Sequence, residues 1–418
     1  MPRTLYSILF TLSMPLVLMR LLYRAVRAPA YARRWSERFA LGGDVRRDGI
    51  WVHAVSVGES IAAAPMVREL MRRHPELPVT ITCMTPTGSE QIRKLFGGQV
   101  GHAYLPYDLP WLQRRLLSKL QPRIGIIMET ELWPNLVAEC QRAKVPLVLA
   151  NARLSERSAK GYQRVRLLVR PMFVALDWVA VQSRAEALRF GSLGVSKEAI
   201  TVTGSIKFDF CPPAELLSQA ASMRRSWGER PVWIAASTHA GEDEQVLRAH
   251  QRLLQQLPDA LLILVPRHPE RFDSVAKLVA DTGMGQVRRS QNGTPTAADQ
   301  ILLGDTMGEL VLLYACADVA FVGGSLVPNG GHNYLEPAAL GLPVLSGPHR
   351  FNFTEISDLL QGAGALQLVS DAEALAERVA ALLHSPAQRQ HAGNAGKAVV
   401  EANQGALELL LQGIEQRL

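Results

Sequence analysis

The chain has 418 residues, 48% of them hydrophobic and 20% charged, with a formal net charge of +7. That length is too great for one ordinary core, so two domains are expected, and the composition is that of a folded globular protein. Four cysteines (Cys83, Cys140, Cys211, Cys316) stand far apart, with no CxxC and no His/Cys cluster, which argues for a reducing compartment and against a structural zinc site.

The positive charge is unevenly placed. Residues 1–47 hold nine arginines against Glu37 and Asp44, which accounts for the whole +7 and leaves the rest of the chain neutral. A basic protein invites a nucleic-acid reading, but here the excess sits beside an apolar N-terminal segment, so the expected partner is a membrane surface and not a nucleic acid. That segment, residues 4–19, carries no charge. It is shorter than the roughly 20 residues a spanning helix needs, and Pro15 and Arg20 weaken a span further. A secretory signal is disfavoured because Arg20, Arg24 and Arg27 occupy the place of an uncharged cleavage region. Two anchor readings stay open: a short span with its positive flank toward the main body, or a monotopic helix dipping into one leaflet.

From residue 49 onward, short apolar runs alternate with amphipathic stretches. Strands are expected at 50–55, 79–84, 123–128, 146–150, 178–181 and 200–203, with helices at about 59–73, 89–96 and 136–142. After a polar, proline-bearing stretch around 211–215 the pattern restarts, with strands at 232–236, 261–265, 300–303, 319–322 and 344–345 and a helical tail from about 371. Continuous apolar strands separated by helices imply parallel sheets covered on both faces. Two such arrays imply an α/β protein with two doubly wound domains and a central cleft.

Ligands in such sheets bind beyond the carboxyl ends of strands, so strand ends single out candidates. Glu59, in HAVSVGE, begins a helix beside a glycine turn. It is either an ordinary first-turn glutamate favoured by the helix dipole or a general base. Glu129 and Glu131, in METE, follow an apolar run directly, and on an extended chain only one of them points to a given face. Lys207, in GSIKFD, is placed to meet a phosphate or carboxylate; the alternative is a solvated lysine on a connection. Thr85 to Ser89 reads chiefly as helix capping.

In the second array, Arg267 and His268 sit between prolines, and the planar guanidinium of Arg267 suits a phosphate or a base edge. Gly308, Glu309 and Leu310 start a helix and offer free N–H groups. Residues 321–341, FVGGSLVPNGGHNYLEPAALG, put Gly323, Gly324 and Ser325 after an apolar run as a candidate phosphate loop. Asn333, Leu335 and Glu336 then open a helix. Glu336 is suited to accept ribose hydroxyls, although Asn333 to Glu336 also fits a capping box. No GxGxxG, GxxxxGK[ST], HExxH or GxSxG occurs, which disfavours a dinucleotide cofactor.

Together these stretches resemble the Kdo (3-deoxy-D-manno-octulosonic acid) transferases of lipopolysaccharide assembly. The resemblance runs through APAYARRWSERF, HAVSVGE, TPTGSE, LPYDLP, METELWPN, NARLSERSAKGY, VTGSIKFD, ASTHAGED, LVPRHPERF, GDTMGELVLLY, FVGGSL and GGHNYLE, covering nearly the whole chain. It implies a GT-B architecture: an N-terminal membrane anchor over 1–40, an acceptor-binding domain over 41–208 and a CMP-Kdo-binding domain over 209–395. C-terminal helices over 396–418 are expected to pack back on the first domain.

The implied activity is an inverting transfer of Kdo from CMP-Kdo to a lipid A precursor, at the cytoplasmic side of the inner membrane, with no metal and no cofactor. Glu59 then maps to the base, and Glu129 and Lys207 to transition-state stabilisation. Arg267, His268, Gly308, Glu309, Leu310, Asn333, Leu335 and Glu336 map to CMP contacts. The rivals are a nucleotide-sugar epimerase or hydrolase of the same fold, which has no use for the apolar N-terminal helix, and a non-catalytic membrane-bound nucleotide sensor, which has no use for a base.

Overall fold

Each apolar run expected as a strand forms one, and every pairing between strands is parallel. The computed structural model describes residues 2–418. It divides into two compact units, Met1–Asp209 with Gln404–Leu418, and Phe210–Asn403.

In unit 1 the strands are β1 (Ile50–His53), β2 (Val79–Cys83), β3 (Gly101–Tyr104), β4 (Ile124–Met128), β5 (Leu147–Ala152), β6 (Trp178–Val181) and β7 (Ile200–Val202), in spatial order β3-β2-β1-β4-β5-β6-β7. Side-chain alternation sends Val52, Ile126 and Val148 into one core layer and Trp51, Ile127 and Leu149 into the other. Both faces are thus covered, which is why the strands read as unbroken apolar runs. Unit 2 contains β8 (Val232–Thr238), β9 (Leu261–Pro266), β10 (Gln286–Arg288), β11 (Ile301–Leu303), β12 (Val319–Val322), β13 (Val344–Ser346) and β14 (Leu366–Leu368), in order β10-β11-β9-β8-β12-β13-β14. In each sheet the order reverses beside the unit's first strand, between β1 and β4 and between β8 and β12.

The strands not anticipated from the sequence, β3, β10 and β14, are all sheet edges. Edge strands need not be apolar throughout. In β3 the buried His102 is satisfied by the carbonyl of Ile81 (2.8 Å) and by Ser89 Oγ (2.8 Å). The helical tail also divides differently from the expected 396–418. The helix Pro386–Ala402 belongs to unit 2, and the chain crosses back only at residue 404. The last helix, Ala406–Glu415, then buries Ala406, Leu410, Leu411 and Ile414 in the core of unit 1. Asp209 holds its start by accepting from the N–H groups of Gly405 and Leu407, both at 2.6 Å.

The N-terminal helix, Pro2–Arg27, continues well past the uncharged 4–19 run and is long and apolar enough to cross a membrane. Phe10, Met14 and Val17 pack against Tyr107, Leu109 and Leu112, and Ser7 Oγ donates to Asn135 Oδ1 (3.0 Å). Leu5, Ile8, Leu9, Leu12, Leu16 and Met19 are exposed.

The seat of the last helix depends on Gly413, where an added Cβ would stand 2.1 Å from the Trp178 ring. Gly413→Ala is expected to destabilise unit 1 by about 1–3 kcal/mol through overpacking, read as a lower urea midpoint.

Candidate active site

In unit 1, Glu59 and Glu129 stand at the strand ends where the order reverses, while Lys207 follows the edge strand β7. The helix Val57–Arg73 follows β1, and Ser56 caps it by accepting the Glu59 N–H. Glu59 Oε2 in turn accepts the Val55 N–H (2.8 Å) and Oε1 accepts from Ser56 Oγ (3.1 Å). The carboxylate thus closes the first turn of its own helix and is thereby fixed at a strand end. Burial raises its pKa from 4.5 to about 7, and the charges of Glu129 and Glu131 push in the same direction, against the bonds from Val55 and Ser56. A carboxylate held near neutrality is suited to take up and release a proton.

Glu129 is the first residue after β4, which pairs with β1. Its φ is +57°, a left-handed conformation that costs energy for a residue with a Cβ and is held here by neighbouring strand ends. Its N–H donates to Ala150 O (2.9 Å) and its carbonyl accepts from Arg153 (3.4 Å). Glu131 turns to the Trp133 indole N–H (2.9 Å). Lys207 lies on a short 3-10 turn, Ile206–Phe208, beyond β7. Asn151, at a bulge in β5, ties that turn down by accepting the Ile206 N–H at Oδ1 (3.3 Å), while its buried Nδ2 has no partner among the described residues. The sequence reading missed Asn151; its signal was a polar residue ending an apolar run.

In unit 2 the expected nucleotide contacts spread over three strand ends. Arg267 is exposed after β9, with its N–H on Thr238 O (3.0 Å). His268 is half-buried, its ring edge-on to His239 with centroids 5.3 Å apart. Glu309 is engaged internally by Arg289 (2.7 and 3.1 Å) and by Thr306 Oγ1, which leaves the turn at Gly308 (φ +87°) and the start of the helix Leu310–Ala315 as the open backbone. Asn333 accepts the Leu335 N–H at Oδ1 (3.1 Å) and donates to Glu336 Oε1 (3.0 Å), while the Leu335 side chain is core. Leu335 and Asn333 thus build the helix start, and Glu336 keeps its second oxygen. Among the described residues no group of three His, Cys, Asp or Glu side chains is arranged to hold a metal ion.

The loop after β12 requires a correction. Gly323, Gly324 and Ser325 are expected to cradle a phosphate, but their surroundings already contain an anion. The buried carboxylate of Glu242 accepts the N–H groups of Gly324 (2.7 Å), Ser325 (3.0 Å), Leu326 (2.9 Å) and His239 (3.2 Å). Ser325 Oγ donates to Val322 O (2.6 Å) and accepts from Gly347 N (2.8 Å). A glycine-rich loop at a strand end binds an anion, as the sequence suggests, but the anion is the protein's own. Glu242 stands in ASTHAGED just after β8, as Glu59 stands just after β1, and that parallel was the signal available to find it. Glu242→Ala would strand four backbone donors, two of them buried and two part-buried. Faster amide hydrogen exchange at 324–326 is expected, with a loss of at least about 3 kcal/mol in unit 2 stability.

Known proteins match this architecture. Residues 33–210 match the family 3-deoxy-D-manno-octulosonic-acid transferase (kdotransferase), and residues 244–399 match glycosyl transferases group 1. The 3-deoxy-D-manno-octulosonic acid transferase of Haemophilus influenzae is 46% identical over 98% of this chain and 97% of its own length. That of Bordetella pertussis is 40% identical over 88% and 87%. Among solved structures, UDP-GlcNAc 2-epimerase from Neisseria meningitidis superposes with a TM-score of 0.57 at 14% identity, over 88% of this chain and all of that one, a likeness of GT-B fold alone. With two parallel seven-stranded sheets and relatives this close along most of their length, the chain belongs to the Kdo transferase family of glycosyltransferase enzymes.

Proposed function

We propose that this protein transfers Kdo from CMP-Kdo to a lipid A precursor in lipopolysaccharide assembly, inverting configuration at the transferred carbon and using Glu59 as the base. The observation that carries the reading is the Glu59 carboxylate, fixed by Val55 and Ser56 and held near neutrality by burial. An acceptor hydroxyl is a poor nucleophile until its proton is taken. Its oxygen forms the new bond to the sugar's anomeric carbon while the bond from that carbon to the phosphate oxygen breaks. The proton passes to Glu59 and CMP leaves with the electron pair.

Unit 1 supplies the base and the acceptor groups, and unit 2 holds the donor through Arg267, His268, the turn at Gly308 and the free oxygen of Glu336. Lys207 is the cation assigned to the charge on the departing phosphate, and with it the transfer is expected to survive EDTA. An epimerase or hydrolase of the same fold would make no lipid-linked product, so product mass after incubation with CMP-Kdo and a lipid A precursor separates the readings.

The N-terminal helix supports attachment to a membrane surface, for which the inner membrane's cytoplasmic face is the reading. Its face bearing Phe10, Met14 and Val17 is already packed on unit 1, which favours lying in one leaflet over crossing two.

Two experiments test these assignments. Glu59→Gln is expected to lower the transfer rate by about 10²–10⁴-fold; near-normal turnover would sink the base assignment. Because Glu59 acts only when ionised and burial raises its pKa, wild-type rate is expected to climb with pH through a midpoint of about 7. Glu131→Gln, which removes a nearby negative charge, is expected to move that limb to lower pH. For the anchor, Leu12→Glu with Leu16→Glu removes apolar burial of about 1.5–3 kcal/mol per residue. Affinity for anionic phospholipid vesicles is expected to drop by at least about tenfold, and unchanged sedimentation with vesicles would refute the interfacial reading.

A further inference from the structure

The end of β8 carries a feature that the assigned roles leave unused. Ser237 adopts φ +58° and the register to β9 shifts between Ala236 and Thr238. The bulge turns His239 toward the loop that follows β12. There His239 Nε2 and His332 Nε2 lie 2.8 Å apart, with the two rings only 5° from parallel. Two nitrogens at that distance share one proton: one ring donates Nε2–H and the other accepts. Neither Nδ1 has a hydrogen bond among the described residues.

Gly324 has φ +69°, and a Cβ there would come within 3.0 Å of the His332 ring and 3.4 Å of the His239 ring. The glycine that the sequence suggested for a phosphate is therefore the space the imidazole pair occupies.

We propose that the His239–His332 pair is a binding element for an anionic group of the donor, its phosphate or its carboxylate, and that it takes up a proton when that group binds. This rests on the reading of unit 2 as the CMP-Kdo site. The pair stands at the point of the second sheet where strand order reverses, beside β8 and β12, which is where ligands of such sheets bind. Its charged neighbours are Arg267, His268 and Arg271 on the β9 side and Asp243 after β8; Glu242 is committed to backbone N–H groups. Arg271 is itself committed to Asp243 and to Thr238 O, which leaves Arg267 as the cation available to act with the pair, beside the His268 ring.

Burial first, and the surrounding basic groups second, hold the unliganded pair neutral, pushing His332 down to about 4 and His239 below its ordinary value. An anion placed against the pair reverses the balance, because the added proton then has a counter-charge. The neutral pair thus avoids repelling its cationic neighbours when empty and becomes a cation only for a ligand that carries the matching charge.

The test is calorimetric titration of the full-length protein with CMP, cytidine and CMP-Kdo, without acceptor, in buffers of different ionisation enthalpy. Wild type is expected to take up about one proton per bound anionic ligand near about pH 6, and to lose affinity by up to about tenfold per pH unit above it. His332→Gln, which keeps a hydrogen-bonding side chain without the titration, is expected to show neither, beyond what CMP's own phosphate contributes to both proteins. His239→Gln provides the same comparison if the first variant does not fold.

Uptake with CMP but not cytidine assigns the phosphate; uptake only with CMP-Kdo assigns the carboxylate. Equal proton uptake and equal affinities in wild type and a folded variant would overturn the proposal while leaving the donor site standing. No CMP-Kdo binding by wild type would overturn the donor reading and this one with it.

Discussion

Every strand in this protein is parallel to its neighbours, and the chemistry depends on that constraint. Parallel strands need a crossover for each connection, usually a helix, so all carboxyl ends of a sheet gather at one edge and the returning helices begin there. In each unit the crossovers wind both ways from the first strand, which leaves β1 beside β4 and β8 beside β12 with no helix crossing between their ends. Glu59 and Glu129 flank the first of these gaps, and His239 and the loop from Gly323 flank the second.

The two gaps are furnished with opposite electrostatics from similar parts. Each has a carboxylate in the opening turn of the helix after the first strand. In unit 1, Glu59 accepts bonds from Val55 N–H and Ser56 Oγ, but burial outweighs them and raises its pKa to about 7. In unit 2, Glu242 is closed in by four backbone N–H groups and serves as structure. Burial raises the pKa of both carboxylates, and what differs is that the bonds to Glu242 all come from backbone N–H groups of the loop and turn it holds together. Around Glu242 the polar side chains are instead Arg267, His268 and the imidazole pair.

Local backbone distortion positions several of these groups. Glu129, Asn151 and Ser237 all take left-handed φ at the ends of β4, β5 and β8, and bulges accompany the last two. Asn151 uses its distortion to hold the turn that carries Lys207, and Ser237 uses its own to swing His239 across to β12. The strain is local to strand ends, where the sheet no longer dictates direction.

The sequence alone determined the alternation of buried strands and helices, the two-array layout and the strand ends that matter, because a strand covered on both faces must be apolar along its whole length, and that is visible residue by residue. It missed β3, β10 and β14 because edge strands escape that requirement. It also carried Glu59, Glu129, Lys207 and Arg267 as candidates, since each comes within four residues of the end of an apolar run. What only the tertiary structure decided is which polar groups meet. Gly324 and Glu242 are 82 residues apart, and His239 and His332 are 93 apart. Whether a glycine loop offers its N–H groups to a ligand or gives them to a buried glutamate depends on which crossover brings that glutamate alongside, and no local pattern records it.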